Sequence, residues 1–208
     1  MNLPTPQQCE QLFVEYKVPR DTIYAHCQAV QKVAMFLAEN LIKQGYPLHI
    51  DIVRPLALLH DFMKVVVLER LLPPLYPHHT LPEETAMHQQ LRKRFKGKSE
   101  TYAAYTILKE KYPEFALLFL GLDKLTRNPA AIVPEEVHFI HYVDWRVLET
   151  RIVSMGERLT YIWNRYHHWM EENQIDWEAT KEKQFQYEQK IFNHLAFLPA
   201  QLAENVKL

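Results

Sequence analysis

Leu56-Ala-Leu-Leu-His60-Asp61-Phe-Met-Lys64 is the stretch on which the reading of this chain turns. Four apolar residues carry an adjacent histidine and aspartate toward the interior, and a lysine follows one turn later. A buried imidazole and carboxylate are costly unless they are paired or coordinate a cation. Neighbours on a helix point about 100° apart and do not share a face. His60 and Asp61 can therefore reach one point only if it lies beside the helix and other helices complete the shell. Side chains of suitable chemistry stand upstream at His26 and downstream at Asp144.

The 208 residues suffice for one domain with a core of its own. Only 4 are glycine, while Leu, Ala, Glu, Gln and Lys are plentiful, which favours helices over a turn-rich β fold. We expect an all-α globular bundle: one domain over residues 1–208, with its core at about 5–195 and a long loop at about 73–98. A formal net charge of -1 provides no global basic field, so nucleic acid is not an expected partner. No apolar run approaches 18 residues and the N-terminus is not cationic-then-apolar, so neither a membrane span nor a signal peptide is expected. Cys9 and Cys27 lack the CxxC spacing and read as buried or half-buried thiols of a reducing compartment. The expectation is a cytoplasmic protein.

Along the chain, Thr5-Pro6 reads as the N-cap and first position of a short amphipathic helix that stops near Val18-Pro19. Asp21 or Thr22 can cap the next helix, which carries His26 near its start and ends at Gly45-Tyr46-Pro47. A central helix, or two, is expected from Ile50 to about Leu72, with Pro55 in its first turn. Residues 73–98 read as irregular around at most one short helix, a lid or binding loop by length. Helices follow over 99–111 and 113–122. Another opens at Pro134-Glu-Glu and runs through His138, His141, Asp144 and Val147 toward Ser154. Two more span roughly 155–173 and 177–195, ahead of a tail expected to fray. Trp163, Trp169 and Trp177 fill the core near these helices or cover a homodimer face.

Of the 11 histidines, His49, His78, His79, His138, His167, His168 and His194 read as surface or satisfied core residues. His141, three residues before Asp144, could support a site from behind. His26, His60, Asp61 and Asp144 differ because each lies in an apolar helical context. Two imidazoles and two carboxylates form a mixed nitrogen–oxygen set suited to a first-row divalent ion, not a thiolate zinc site. Such an ion would make bound water a nucleophile near neutral pH and offset charge on a phosphoryl oxygen.

Three segments are similar to motifs of the HD superfamily of metal-dependent phosphohydrolases. Tyr24-Ala-His26-Cys-Gln-Ala-Val-Gln-Lys-Val-Ala-Met-Phe-Leu-Ala resembles its first-histidine helix, and Leu56 to Lys64 resembles its His-Asp helix with the trailing lysine. Tyr142-Val-Asp144-Trp-Arg-Val147, followed by Arg151-Ile-Val-Ser-Met-Gly-Glu-Arg158, resembles the distal-aspartate helix of small single-domain bacterial members. The resemblance covers roughly residues 5–195. It implies an HD-type helical domain holding one divalent ion (Mn, Fe, Co, Ni, Mg or Zn) by His26, His60, Asp61 and Asp144. Asp61 would also orient or deprotonate the attacking water, and Lys64 would reach a substrate phosphate.

Two-metal members, including the di-iron oxygenases of the superfamily, carry two further histidines. Here Ser99 or Glu100 stands at the first place and Leu122-Asp123 at the second, so a single ion is favoured. Glu100, Asp123, His79 and His88 are weaker substitutes for those ligands. Phe62-Met63 replaces the glycine-bearing variant of cyclic-dinucleotide phosphodiesterases. The basic run from Arg92 to Lys98 reads as a solvated segment or an anion contact with Phe95 as a stacking surface. Arg127 and Arg146 are phosphate-clamp candidates, with a structural ion pair as the other reading of Arg146. The expected function is a metal-dependent phosphohydrolase acting on a small phosphorylated compound or nucleotide. The alternatives are a non-catalytic metal- or ligand-binding module and, behind it, a di-iron oxygenase.

Overall fold

The computed structural model describes residues 1–67 and 85–208. His78, His79 and the first half of the expected long loop lie outside the described residues. Helix α1 (Pro6–Glu15) starts where proposed, with Thr5 and Gln8 forming a reciprocal capping box. The expected Asp21 or Thr22 cap is absent. Instead a π-helical turn (Arg20–Tyr24) runs directly into α2 (Ala25–Lys43), and no side chain caps either start. Cys27, Val30, Val33, Ala34, Leu37, Ala38 and Leu41 are buried along α2, the spacing of one helical face.

Helix α3 (Ile50–Leu59) does not run on unbroken through the expected central span, whose end at 68–72 lies outside the described residues, and Pro55 sits in its middle rather than in its first turn. Proline offers no N–H to the carbonyl four residues back, a weakness that packing of Val53, Leu56, Ala57 and Leu59 offsets. The α-helix ends one residue before the His60–Asp61 doublet. Residues 60–63 form a turn, closed by Lys64 N–H donating to Asp61 O at 2.8 Å, and a 3-10 segment (Lys64–Val66) follows. Phe62 and Met63, just after the doublet, are fully buried and anchor this turn, Phe62 edge-on to Phe13 and Tyr16.

The later part of the expected loop contains α4 (Ala86–Arg94), whose basic residues Arg92, Lys93 and Arg94 lie in its last turn, where the helix dipole favours cations. Helices α5 (Glu100–Leu108) and α6 (Pro113–Arg127) pack on each other, and α6 packs on α7 (Glu135–Trp145). Gly121 makes that second contact close: a Cβ there would stand 3.1 Å from Val137 Cγ1. Helix α7 stops at Trp145 rather than continuing to Ser154. The chain then forms a two-stranded antiparallel hairpin, β1 (Val147–Leu148) and β2 (Arg151–Ile152), with Val147 opposite Ile152.

Ser154 caps α8 (Met155–Glu172) and Asp176 caps α9 (Trp177–Phe192). The tail does not fray: a 3-10 turn (Pro199–Gln201) and α10 (Leu202–Asn205) bury Leu202 and Val206 in the core. Trp145, Trp177 and Trp163 form a row of rings with successive centroids 6.2 and 5.8 Å apart. The architecture is all-α apart from the hairpin, and no described helix is long and apolar enough to cross a membrane. Helices α2, α3 and α7 pack mutually, and their convergence positions the site.

Candidate metal centre

His26 is the second residue of α2, His60 is the first residue past α3, and Asp144 lies in the last turn of α7. Their side chains meet. One ligand atom from each lies within 4.8 Å of the others. His26 Nε2 is 2.9 Å and His60 Nε2 is 3.5 Å from Asp144 Oδ1. Asp61 Oδ2 stands 3.9 Å from the first nitrogen and 3.8 Å from the second. Ligands about 2.1 Å from a shared ion are themselves roughly 3–4 Å apart. The His26, His60 and Asp144 spacings are close to that range, whereas Asp61, near both imidazoles, is not part of that group of three.

Both imidazoles are held from behind. His26 Nδ1 donates to Glu149 O at 2.7 Å, and His60 Nδ1 donates to Ala57 O at 2.8 Å. A carbonyl oxygen can only accept, so each Nδ1 carries a proton and each Nε2 is turned to the Asp144 carboxylate. Lone pair facing lone pair repels unless a cation lies between, either a proton or a metal ion. His60 Nε2 is buried and makes no hydrogen bond, so its lone pair has nothing else to serve. Backbone carbonyls that fix the tautomer are also the usual support of metal-bound histidine. The donor set therefore fits a divalent ion.

The carbonyl that orients His26 comes from an unusual place. Glu149 is the first tip residue of the β1–β2 hairpin and has φ +56°, the left-handed region that non-glycine residues rarely enter. The hairpin thus accepts a cost of roughly 1–3 kcal/mol to aim one oxygen at the site. Nothing in the residue types at 147–152 announces this, and sequence reading missed it.

The electrostatics agree with the geometry. Burial alone would raise Asp144, but the His26 and His60 imidazoles facing it and the charge of Arg158 hold it well below the usual carboxylate range. Asp61 is lowered against its burial by Lys64 and His60. Desolvation would lower His60, but the charge of Asp61, Cys27 and the facing Asp144 carboxylate raise it well above 6.5. Without a metal that proton is the cation between the ligands, and a divalent ion would displace it. Cys27, wholly buried beside His60, is pushed up chiefly by desolvation and stays a thiol.

The remaining sequence candidates lie elsewhere or are committed. Lys64 Nζ is 2.5 Å from Asp61 Oδ2, so it braces that carboxylate. Arg127 is exposed and pairs with Asp123 at 3.1 Å. Arg146 is 2% exposed and serves the fold: Nε donates to Val153 O, Nη2 to Pro199 O, and Nη1 to Tyr142 Oη and Glu188. Asp123 also accepts from Thr101, and His88 faces Lys17 O at 3.1 Å, so neither joins the cluster. His141 does not back the site; its Nδ1 accepts from Gln184 at 2.9 Å, beside a pocket of about 210 Å³ between α7 and α9. Among the described residues, His26, His60 and Asp144 form the one group of three such donors.

Compared with known proteins, the chain matches no family model, no curated sequence and no solved structure. The site stands on its geometry.

Proposed function

We propose that this chain is a metal-dependent phosphohydrolase of HD type acting on a small phosphorylated compound, a nucleotide among them. The observation that carries the reading is the pair of Nδ1-anchored imidazoles with Nε2 atoms converging on Asp144 Oδ1. His26, His60 and Asp144 would hold one divalent ion, with Asp61 as the fourth protein ligand. That ion would supply a water made nucleophilic near neutral pH and neutralise charge developing on a phosphoryl oxygen. Asp61, kept ionised by Lys64, is better suited to orienting the water than to taking its proton, because a carboxylate with a depressed pKa is a weak base. Lys64 works through Asp61. The Asp144 side chain is 23% exposed, so the cluster is not sealed from solvent.

Elemental analysis of protein purified without chelator tests this first. We expect about one transition metal per chain, lost in Asp144→Ala and in Asp61→Ala, together with phosphatase or nucleotidase turnover that disappears in both. Full activity in either variant would refute the mechanism. Metal retained without turnover across a broad panel of phosphate esters would identify the non-catalytic binding module instead. Two ions per chain would reopen the oxygenase reading.

A further inference from the structure

Hydrolysis at a metal centre needs a protein cation to hold the phosphoryl oxygens that the ion does not, and the sequence offered Lys64, Arg127 and Arg146. The fold commits these three to Asp61, Asp123 and Glu188. Arg158, in the first turn of α8, is differently placed. Its side chain is 14% exposed, and Nη2 lies 3.7 Å from Asp144 Oδ2, beyond hydrogen-bond distance. Its guanidinium lies 5.5 Å from the centre of the Tyr161 ring, a contact that fixes its position and uses no donor. Nε is buried with no hydrogen bond, and among the described residues no other donor of this guanidinium makes one.

A largely buried guanidinium whose Nε is buried without a hydrogen bond is costly unless something anionic completes it. Asp144 bridges the two halves of the site, with Oδ1 toward the imidazoles and Oδ2 toward Arg158. Charge points the same way. The carboxylates of Asp61 and Asp144 are balanced by Lys64 and Arg158, so with neutral histidines a divalent ion leaves the site doubly positive, matched to a terminal phosphate dianion.

We propose that Arg158 is the phosphate-binding residue of this centre, receiving a phosphoryl oxygen of the substrate beside Asp144. The proposal rests on the metal-dependent reading above. Its test titrates inorganic phosphate calorimetrically into wild type, Arg158→Gln and Arg158→Lys, with and without added Mn²⁺, while metal content and circular dichroism are recorded. The expected result is unchanged metal content and at least about tenfold weaker phosphate binding in Arg158→Gln, partly recovered in Arg158→Lys. In turnover of a phosphate monoester, KM should rise more than kcat falls. Equal phosphate affinity in wild type and Arg158→Gln would overturn the proposal. So would metal loss confined to Arg158→Gln, since that would make the residue a support for Asp144. A wild type that takes up no metal would defeat the metal-dependent reading alone. The metal-free titrations would then decide on Arg158: binding that depends on it sustains the anion site, and no binding removes it.

Discussion

At the scale of single residues, the partner of each ring nitrogen decides which histidines are candidate ligands and which are not. His26 and His60 each keep one nitrogen for a carbonyl and turn the other to Asp144, whereas His141 is accepted into the core as a neutral ring. Desolvation lowers His141 to about 4, while Asp144 opposes that shift and His138 adds to it. The folded protein therefore resists a proton that the unfolded chain takes up near 6.5, so this group costs stability as pH falls from 6.5 toward 4. Denaturant unfolding at about pH 7 and about pH 5 should show a loss of roughly 2 kcal/mol attributable to His141. In His141→Gln, which can keep a contact to Gln184, that loss should shrink. An unchanged difference between the two pH values would show that the ring is not held neutral. His60 has the opposite sign, since its raised pKa adds stability to the metal-free protein below 6.5, lost as pH rises through the folded value. The comparison of variants separates the two.

At the scale of elements, the ends of helices matter more than their lengths. Helix α3 stops at Leu59, and the turn at 60–63 that follows it carries both His60 and Asp61. The β1–β2 hairpin interrupts what reads as one long helix and returns the Glu149 carbonyl to His26, 123 residues away in sequence. Because that contact is made by backbone, it constrains the φ of residue 149. Glu149→Gly should leave metal affinity within about twofold and relieve local strain. Glu149→Pro, fixed near φ −65°, should withdraw the carbonyl and weaken metal binding by about 10- to 100-fold. Competition against a fluorescent chelator would measure both. Equal affinities would show that the hairpin carbonyl does not orient His26.

At the scale of the whole molecule, Arg146 ties the C-terminal half together, joining α7 to the hairpin exit at Val153, to α9 at Glu188 and to the tail at Pro199. Arg146→Met should cost about 3–5 kcal/mol, since it leaves Glu188 and two carbonyls without their partner. A shift below about 1 kcal/mol in urea unfolding would refute the clamp. The sequence by itself determined the all-α class, the starts of α1 and α9, and the His26, His60 and Asp144 convergence, because helical periodicity, caps and a polar doublet in an apolar run are local signals. It also named Arg146, two residues from a ligand, as a phosphate clamp, with a structural ion pair as the other reading. Only the tertiary structure turned Arg146 inward, ended α3 at the doublet, set a left-handed residue behind His26 and left Arg158 beside Asp144. Those outcomes depend on which distant chain segment arrives at each polar atom, and a backbone partner such as Glu149 O, 123 residues from His26, leaves no trace in local pattern.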